Sequence, residues 1–192
     1  MKIYVTRHGE TDFNRLGIYS GSVDIPLNKR GFAQARKLAN RLQEKTFDAV
    51  VSSPMLRTRQ TAEIICSALN TTYTLEELLK ERTLGVYEGL TKGDVQLRYP
   101  ILWKRQCTIN PADAPDGGES AYDVCLRVKI ALTNLYHIYK GKTILIITHG
   151  FTSRAIHMLC LNNQIEKLRD FTLGNCEVVT YTIRDIMLHE SL

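Results

Sequence analysis

The chain has no long apolar run. Nothing in it approaches the about 20 residues that a helix needs to cross a bilayer, so no membrane partner is expected. The opening "MKIYVTRHGE" has one lysine but no extended apolar segment behind it. No secretory leader is visible there, and a cytoplasmic protein is expected. Cysteine is sparse and scattered: Cys66, Cys107, Cys125, Cys160 and Cys176 are odd in number and show no CxxC or other metal-ligand spacing. That argues against a disulfide framework and fits free thiols in a reducing compartment. No block of lysine and arginine with interleaved aromatics occurs, so no nucleic-acid partner is expected. Repeats and low-complexity stretches are absent too.

What is present is ordinary in amount and uneven in sign. The 192 residues are 44% hydrophobic and 23% charged, which fits one globular domain spanning 1–192. The net charge is +5. Spread rather than clustered, that excess suits a small anionic ligand, and a phosphorylated metabolite meets it with fewest assumptions.

Strand and helix signals alternate along the chain. Lys2–Thr6 is a short β-branched run. "GFAQARKLANRLQEK" places Phe32, Ala35, Leu38, Ala39 and Leu42 on one helical face. "FDAVVSS" reads as a second strand, and Pro54 after it as the start of a helix running through Thr61 and Ile65. "SAYDVCLRVKIALTNLYHIYK" is the longest helical pattern, with Val124, Val128, Ala131, Leu132 and Leu135 aligned and Ser120 as N-cap. "KTILIIT" reads as a strand buried on both faces, "TSRAIHMLC" as a helix and "EVVTYTI" as a late strand. Such alternation predicts an α/β domain with a mostly parallel sheet covered on both faces. The stretch from Leu90 to Gly118 breaks the pattern. It carries Lys92, Arg98, Trp103, Lys104 and Arg105 and reads as an excursion, part helix and part loop, either a solvated insertion or a lid over a pocket.

The chemistry gathers at the ends of the predicted strands. Arg7-His8-Gly9 follows the first, "PMLRTRQTA" with Arg57 follows the second, and His149-Gly150 follows "TILIIT". In open parallel sheets ligands bind at the carboxyl ends of strands. The glycine behind each histidine is expected to let the backbone turn sharply and approach a ligand. Arginine grips phosphate oxygens with two N–H groups, and a neutral imidazole nitrogen can attack phosphorus and hold it covalently. Cationic neighbours keep that nitrogen unprotonated. The leaving oxygen then needs a proton from a carboxylic acid. "LLKERTLGVYEGL" offers Glu81 and Glu88, and spacing alone does not choose between them. His137, His157 and His189 lack this setting; the first two fit helix faces and the last lies in a tail.

Taken together, "TRHGET", "SSPMLRTRQTA", "KERTLGVYEG", "PDGGES" and "ITHG" resemble, in order and spacing, the histidine phosphatase superfamily, also called phosphoglycerate mutase-like. The resemblance covers roughly Lys2 to Val179. It implies a three-layer α/β/α sandwich and chemistry with neither metal nor other cofactor. It implies His8 as the phosphorylated nucleophile and His149 as the second pocket histidine. By the same resemblance, Arg7 and Arg57 grip phosphate, Asn14 hydrogen-bonds it and the Gly150 backbone assists. It also selects Glu81 over Glu88 as general acid. One departure stands out: members commonly carry glutamine where this chain has Ser20, and a serine hydroxyl reaches less far towards a bound phosphate.

The short length, "LGVYEG" and "PDGGES" resemble the phosphatase branch that includes α-ribazole and broad-specificity phosphatases. The expected activity is therefore metal-independent hydrolysis of a small phosphomonoester. The alternatives are a cofactor-dependent phosphoglycerate mutase, a fructose-2,6-bisphosphatase-like enzyme and a non-catalytic phosphoester-binding module. A metal hydrolase built on His8 and His149 would need a carboxylate cluster that the sequence does not show.

Overall fold

Strand β4 (Thr143–Thr148) is the centre of the structure, with Ile144, Leu145, Ile146 and Ile147 all fully buried. A four-residue run without a single exposed side chain has to be covered on both faces. The sheet around it contains β1 (Lys2–Arg7), β2 (Ala49–Ser52), β3 (Thr74–Leu75) and β5 (Val178–Thr182), in the order β3-β2-β4-β1-β5. All pairings are parallel except that of β5 with β1. These strands belong to a computed structural model that describes residues 1–184. His189 therefore lies outside the described residues.

Among the described residues seven α-helices accompany the sheet: α1 (Asp12–Leu16), α2 (Lys29–Leu42), α3 (Leu56–Leu69), α4 (Lys92–Arg98), α5 (Pro100–Arg105), α6 (Ala121–Ile138) and α7 (Gly150–Leu161). Helices α2 and α3 bury Ala35, Leu38, Ala62 and Ile65 against Val50, Leu145 and Ile147. Helices α6 and α7 bury Val124, Val128, Leu132 and Ile156 against Ile3, Val5, Ile144 and Ile146. Alternate residues of β4 thus serve opposite layers, which gives the expected α/β/α sandwich. Ser120 caps α6 as predicted, exchanging hydrogen bonds with Asp123. Among the described residues no helix is long and apolar enough to cross a membrane. All five cysteines are buried free thiols.

The structure corrects several local readings. Helix α2 starts earlier than its apolar pattern, because the Asn28 side chain accepts the Gly31 N–H at 2.8 Å; Phe32 sits at the half-buried margin of its face. Pro54 does not open α3. Met55 is the N-cap, and the carboxylate of Asp24 accepts the Leu56 N–H at 2.6 Å. Helix α7 begins two residues before the predicted start, so His149 is its N-cap and Gly150 its first residue. Neither Gly9 nor Gly150 has a positive φ. Their value is close approach rather than a sharp turn. A Cβ on Gly9 would lie 2.9 Å from the Gly31 carbonyl carbon, and one on Gly150 3.4 Å from Cζ of Arg7. Strand β3 was not predicted; it is two exposed residues on the sheet edge, too short for any periodicity.

The excursion is part helix and part loop, and it carries its own small core. Tyr87, Val95, Leu102 and Cys107 are buried together, with Trp103 packed on them. The buried Arg82 ties this core to the sandwich. Its Nε donates to the Glu119 carbonyl at 2.7 Å, and its Nη2 to the carbonyls of Cys107 at 3.1 Å and Asp113 at 3.2 Å. Arg105 pairs with Asp113, whereas Arg98 and Lys104 are exposed. His157 meets the Tyr181 hydroxyl at 2.7 Å and stacks on Phe171, and His137 is exposed on the last turn of α6.

Gly31 gives a test of what this packing requires. Helix propensity alone would make Gly31→Ala stabilising by about 1 kcal/mol. The added Cβ would instead run into the Glu10 carbonyl oxygen and lie 2.8 Å from the Glu10 nitrogen. Both are backbone atoms, and the same oxygen already accepts the Asn28 N–H at 2.9 Å. Overpacking wins: Gly31→Ala should lose about 1–3 kcal/mol, read as a lower midpoint in urea unfolding. A raised midpoint would contradict the contact.

Candidate active site

Strands β2, β4 and β1 lie side by side and parallel, so their carboxyl ends form one edge. The chain leaving each strand is held to its neighbour for one more bond. The His8 N–H donates to the Thr148 carbonyl at 3.0 Å, and the Ser53 N–H to that of Ile147 at 3.0 Å. Hence Arg7 and His8 after β1, Ser53 after β2 and His149 after β4 are delivered to one place, and Arg57 joins them from the first turn of α3. His8, Arg57 and His149 are 2%, 1% and 0% exposed.

The hydrogen bonds assign the imidazole protons. His8 Nδ1 lies 2.7 Å from the Gly9 carbonyl oxygen. A carbonyl only accepts, so Nδ1 carries the proton and Nε2 keeps its lone pair. Burial holds the ring well below the ordinary histidine range, and the guanidiniums of Arg57 and Arg7 lower it further; the bond to Gly9 works weakly the other way. His8 is therefore neutral at pH 7. The ring of His149 stands 5.3 Å from that of His8. Arg57 Nε donates to its Nδ1 at 3.2 Å, so Nε2 carries the proton and gives it to Ser53 Oγ at 2.7 Å. Burial first, then Arg57, hold His149 well below its usual range as well.

The two arginines differ in what they hold. Arg57 donates through Nη1 to the Val23 carbonyl at 2.9 Å and through Nη2 to that of Gly21 at 3.0 Å, which fixes the loop beside the site. Arg7 donates through Nη1 to the Leu173 carbonyl at 3.3 Å, while its buried Nε meets no acceptor. Burial lowers the affinity of both guanidiniums for their protons, and the charge of Glu81 opposes this. Buried cations with donor capacity in hand favour an anion between them.

Glu81 faces this group from the start of α7. Its carboxylate accepts the N–H groups of Phe151 at 3.1 Å and Thr152 at 3.2 Å, where the helix dipole favours negative charge. Its backbone is clamped from behind. Arg127 donates to the carbonyls of Leu78 at 2.7 Å, Lys80 at 2.8 Å and Glu81 at 3.1 Å. Glu119 holds Arg127 in turn and accepts the Thr83 N–H at 2.9 Å. Glu88 is engaged elsewhere, accepting from the Ser22 N–H and hydroxyl and from the Leu84 N–H. The structure thus separates two acids that spacing left equal: one faces the arginines, and the other fastens a loop.

Asn14 lines the adjoining cavity together with Ser20 and Glu81. Its Oδ1 accepts from the Thr11 N–H at 3.2 Å and from Asn175 Nδ2 at 3.3 Å, so what it can offer a ligand is its own NH₂ group. Asn175 also donates to the His8 carbonyl at 2.8 Å and was not foreseen. Nor were Ser53, Arg127 and Glu119 as positioning residues. The double serine of "VSSP" and the acid of "GGES" were visible in the sequence, but no local pattern shows what they touch. Among the described residues no group of three His, Cys, Asp or Glu side chains is arranged to hold a metal ion.

With this geometry in view, the likenesses to known proteins can be weighed. The sequence profile of the Histidine phosphatase superfamily (branch 1) matches residues 3–187. Phosphoserine phosphatase 1 of Hydrogenobacter thermophilus is 30% identical over 183 residues, covering 95% of this chain and 85% of that protein. A probable phosphoglycerate mutase GpmB of Citrobacter koseri is 31% identical over 180 residues, covering 93% and 83%. Among solved structures, the alpha-ribazole phosphatase from Shigella flexneri superposes with a TM-score of 0.87 at 26% identity, covering 96% of this chain and 92% of its own. The profile spans nearly the whole chain and includes every residue of the site just described: the chain belongs to the histidine phosphatase superfamily, branch 1.

Proposed function

We propose that the protein is a phosphatase that hydrolyses a small phosphomonoester in two steps through a phosphohistidine at His8. One observation carries this reading: a buried, neutral His8 whose Nδ1–H is fixed on the Gly9 carbonyl, leaving Nε2 as a nucleophile between two guanidiniums. In the first step the Nε2 lone pair forms a bond to phosphorus, the bond from phosphorus to the alcohol oxygen breaks, and Glu81 gives that oxygen a proton. Nδ1–H stays on Gly9 O, which supports the positive charge the ring acquires. In the second step Glu81 takes a proton from water, the water oxygen bonds to phosphorus, and the P–N pair returns to Nε2.

Arg7 and Arg57 neutralise the phosphoryl oxygens, which is most of what this chemistry requires of a protein. His149 aligns Arg57 through Nδ1. With Nδ1 taken by Arg57 and Nε2–H given to Ser53, it acts on the phosphoryl group through the guanidinium it aligns. The likeness to probable phosphoglycerate mutases favours a second reading, in which the phosphoryl group passes from His8 to a substrate hydroxyl instead of water. Phosphate release from a panel of phosphomonoesters, run with chelator present, separates the two. Release supports the phosphatase, and isomerisation of 3-phosphoglycerate without release supports the mutase.

Three predictions follow from the chemistry. His8→Ala should abolish turnover while circular dichroism shows the fold intact; near-native activity in the folded variant would exclude the phosphohistidine route. Glu81→Ala should lower the rate about 10²–10⁴-fold for alkyl phosphates. The loss should be much smaller for p-nitrophenyl phosphate, whose leaving group needs little protonation, and equal losses would remove the acid role. The third concerns stability. Histidines of the unfolded chain take up protons near pH 6.5, whereas buried His8 and His149 stay neutral below that. Below pH 6.5 the unfolded state binds more protons, so stability falls as pH falls from 7 towards 5. Melting temperatures over that range should fall less steeply in His8→Asn than in the parent; identical slopes would mean that His8 titrates normally.

A further inference from the structure

We infer that the substrate carries a second anionic group, a carboxylate or another phosphate, on its alcohol part, and that Arg154, Arg169 and Lys92 receive it. The inference rests on the phosphatase reading, because it takes Glu81 to mark the side on which the alcohol leaves.

The cavity that begins at Asn14, Ser20 and Glu81 continues past Phe151 to Arg154, Arg169 and Lys92. These three come from separate parts of the chain. Arg154 lies one turn beyond Phe151 on α7, Arg169 ends the 3₁₀ turn Ile165–Arg169, and Lys92 opens α4. Phe151 gives Glu81 its N–H, and a residue three positions on shares its helix face, so Arg154 lies just beyond the proposed acid.

Several arginines elsewhere in the structure are already neutralised. Arg105 is paired with Asp113, Arg127 with Glu119 and Arg30 with Glu10. Arg82, on the same cavity wall, is committed to backbone carbonyls. Arg154, Arg169 and Lys92 form no ion pair among the described residues. The half-buried Arg154 gives one bond, from Nη2 to the Thr172 hydroxyl at 3.1 Å. Among the described residues the only acid lining the cavity is Glu81, which α7 already holds. Burial lowers the proton affinity of Arg154; the charges of Arg169 and Arg7 add to this and that of Glu81 opposes it, so Arg154 lies within electrostatic reach of cations on both sides. A row of like charges without counter-charge is unfavourable until an anion enters, and two guanidiniums suit the flat oxygens of a carboxylate or phosphate. Tyr19, Leu84 and Phe151 supply apolar wall for the carbon skeleton between the two anionic ends.

Matched substrates test this. The carboxylate arm compares 3-phosphoglycerate with glycerol 3-phosphate, which differ in one carboxylate against a hydroxymethyl group. The phosphate arm compares fructose 1,6-bisphosphate with fructose 6-phosphate. In at least one arm kcat/KM for phosphate release should favour the doubly anionic member by about tenfold or more, and Arg154→Gln and Arg169→Gln should each cut that ratio several-fold, consistent with the loss of a charged hydrogen bond. A preference in one arm only identifies the anion. Equal kcat/KM within both pairs, or ratios unmoved in both variants, would overturn the inference while leaving the phosphatase reading in place. Failure of that reading is separate: no phosphate released from any of the four or from p-nitrophenyl phosphate.

Discussion

Burial, and next the charge of Arg57 beside them, hold the imidazoles of His8 and His149 neutral. A third buried cation there would meet Arg57 and Arg7 at short range with little water to screen it. The rest of the site depends on that constraint. It leaves a lone pair on His8, it lets His149 accept from Arg57 rather than repel it, and it leaves the carboxylates of Glu81, Asp24 and Glu88 to oppose the buried positive charge of Arg57. Arg57 also donates to the carbonyls of Gly21 and Val23, so one side chain orders the second histidine and the neighbouring loop together.

The sequence motifs of the second half act as one network rather than as separate signals. Glu81 belongs to "KERTLG", and Glu119 to "PDGGES". Gly85 has a φ of +52° and lies so close to the Asp116 carbonyl that no side chain fits, while a Cβ on Gly118 would lie 2.9 Å from the Thr83 carbonyl oxygen. The two segments are pressed together backbone to backbone, and Arg127 with Glu119 locks them. Arg82 is the neighbour of Glu81 in sequence and anchors the excursion. The excursion and the Glu81 carboxylate are therefore anchored on adjacent residues.

How much of this could be read from sequence follows from how far each contact reaches. Arg7, His8, Arg57 and His149 were legible because strand ends in a parallel sheet share one edge whatever the side chains are. Spacing did not separate Glu81 from Glu88, and only the family resemblance chose between them, since their difference lies in contacts with Phe151 and Ser22, far away in sequence. Ser53, Asn175 and Arg127 were missed for the same reason: each acts across a gap that no periodicity records. The glycines after the histidines were noticed for flexibility they do not use. What matters there is the absent Cβ, beside Gly31 in one case and Arg7 in the other. Helix starts moved because the polar caps Asn28 and His149 lie outside the apolar pattern that located the helices.

The place of β1 in the sheet has a consequence for folding. Its two neighbours are β4 and β5, with Lys2 opposite Thr143 on one side and Thr182 on the other. The strand that leads into His8 thus takes both its partners from far along the sequence, and such non-local pairing slows folding. On its other side Cys176 donates to the Arg7 carbonyl and Asn175 to that of His8. The backbone that carries Arg7 and His8 is thus bordered by a segment that follows every other residue of the site, so a chain cut just before Asn175 would lose that border while keeping all the side chains it steadies.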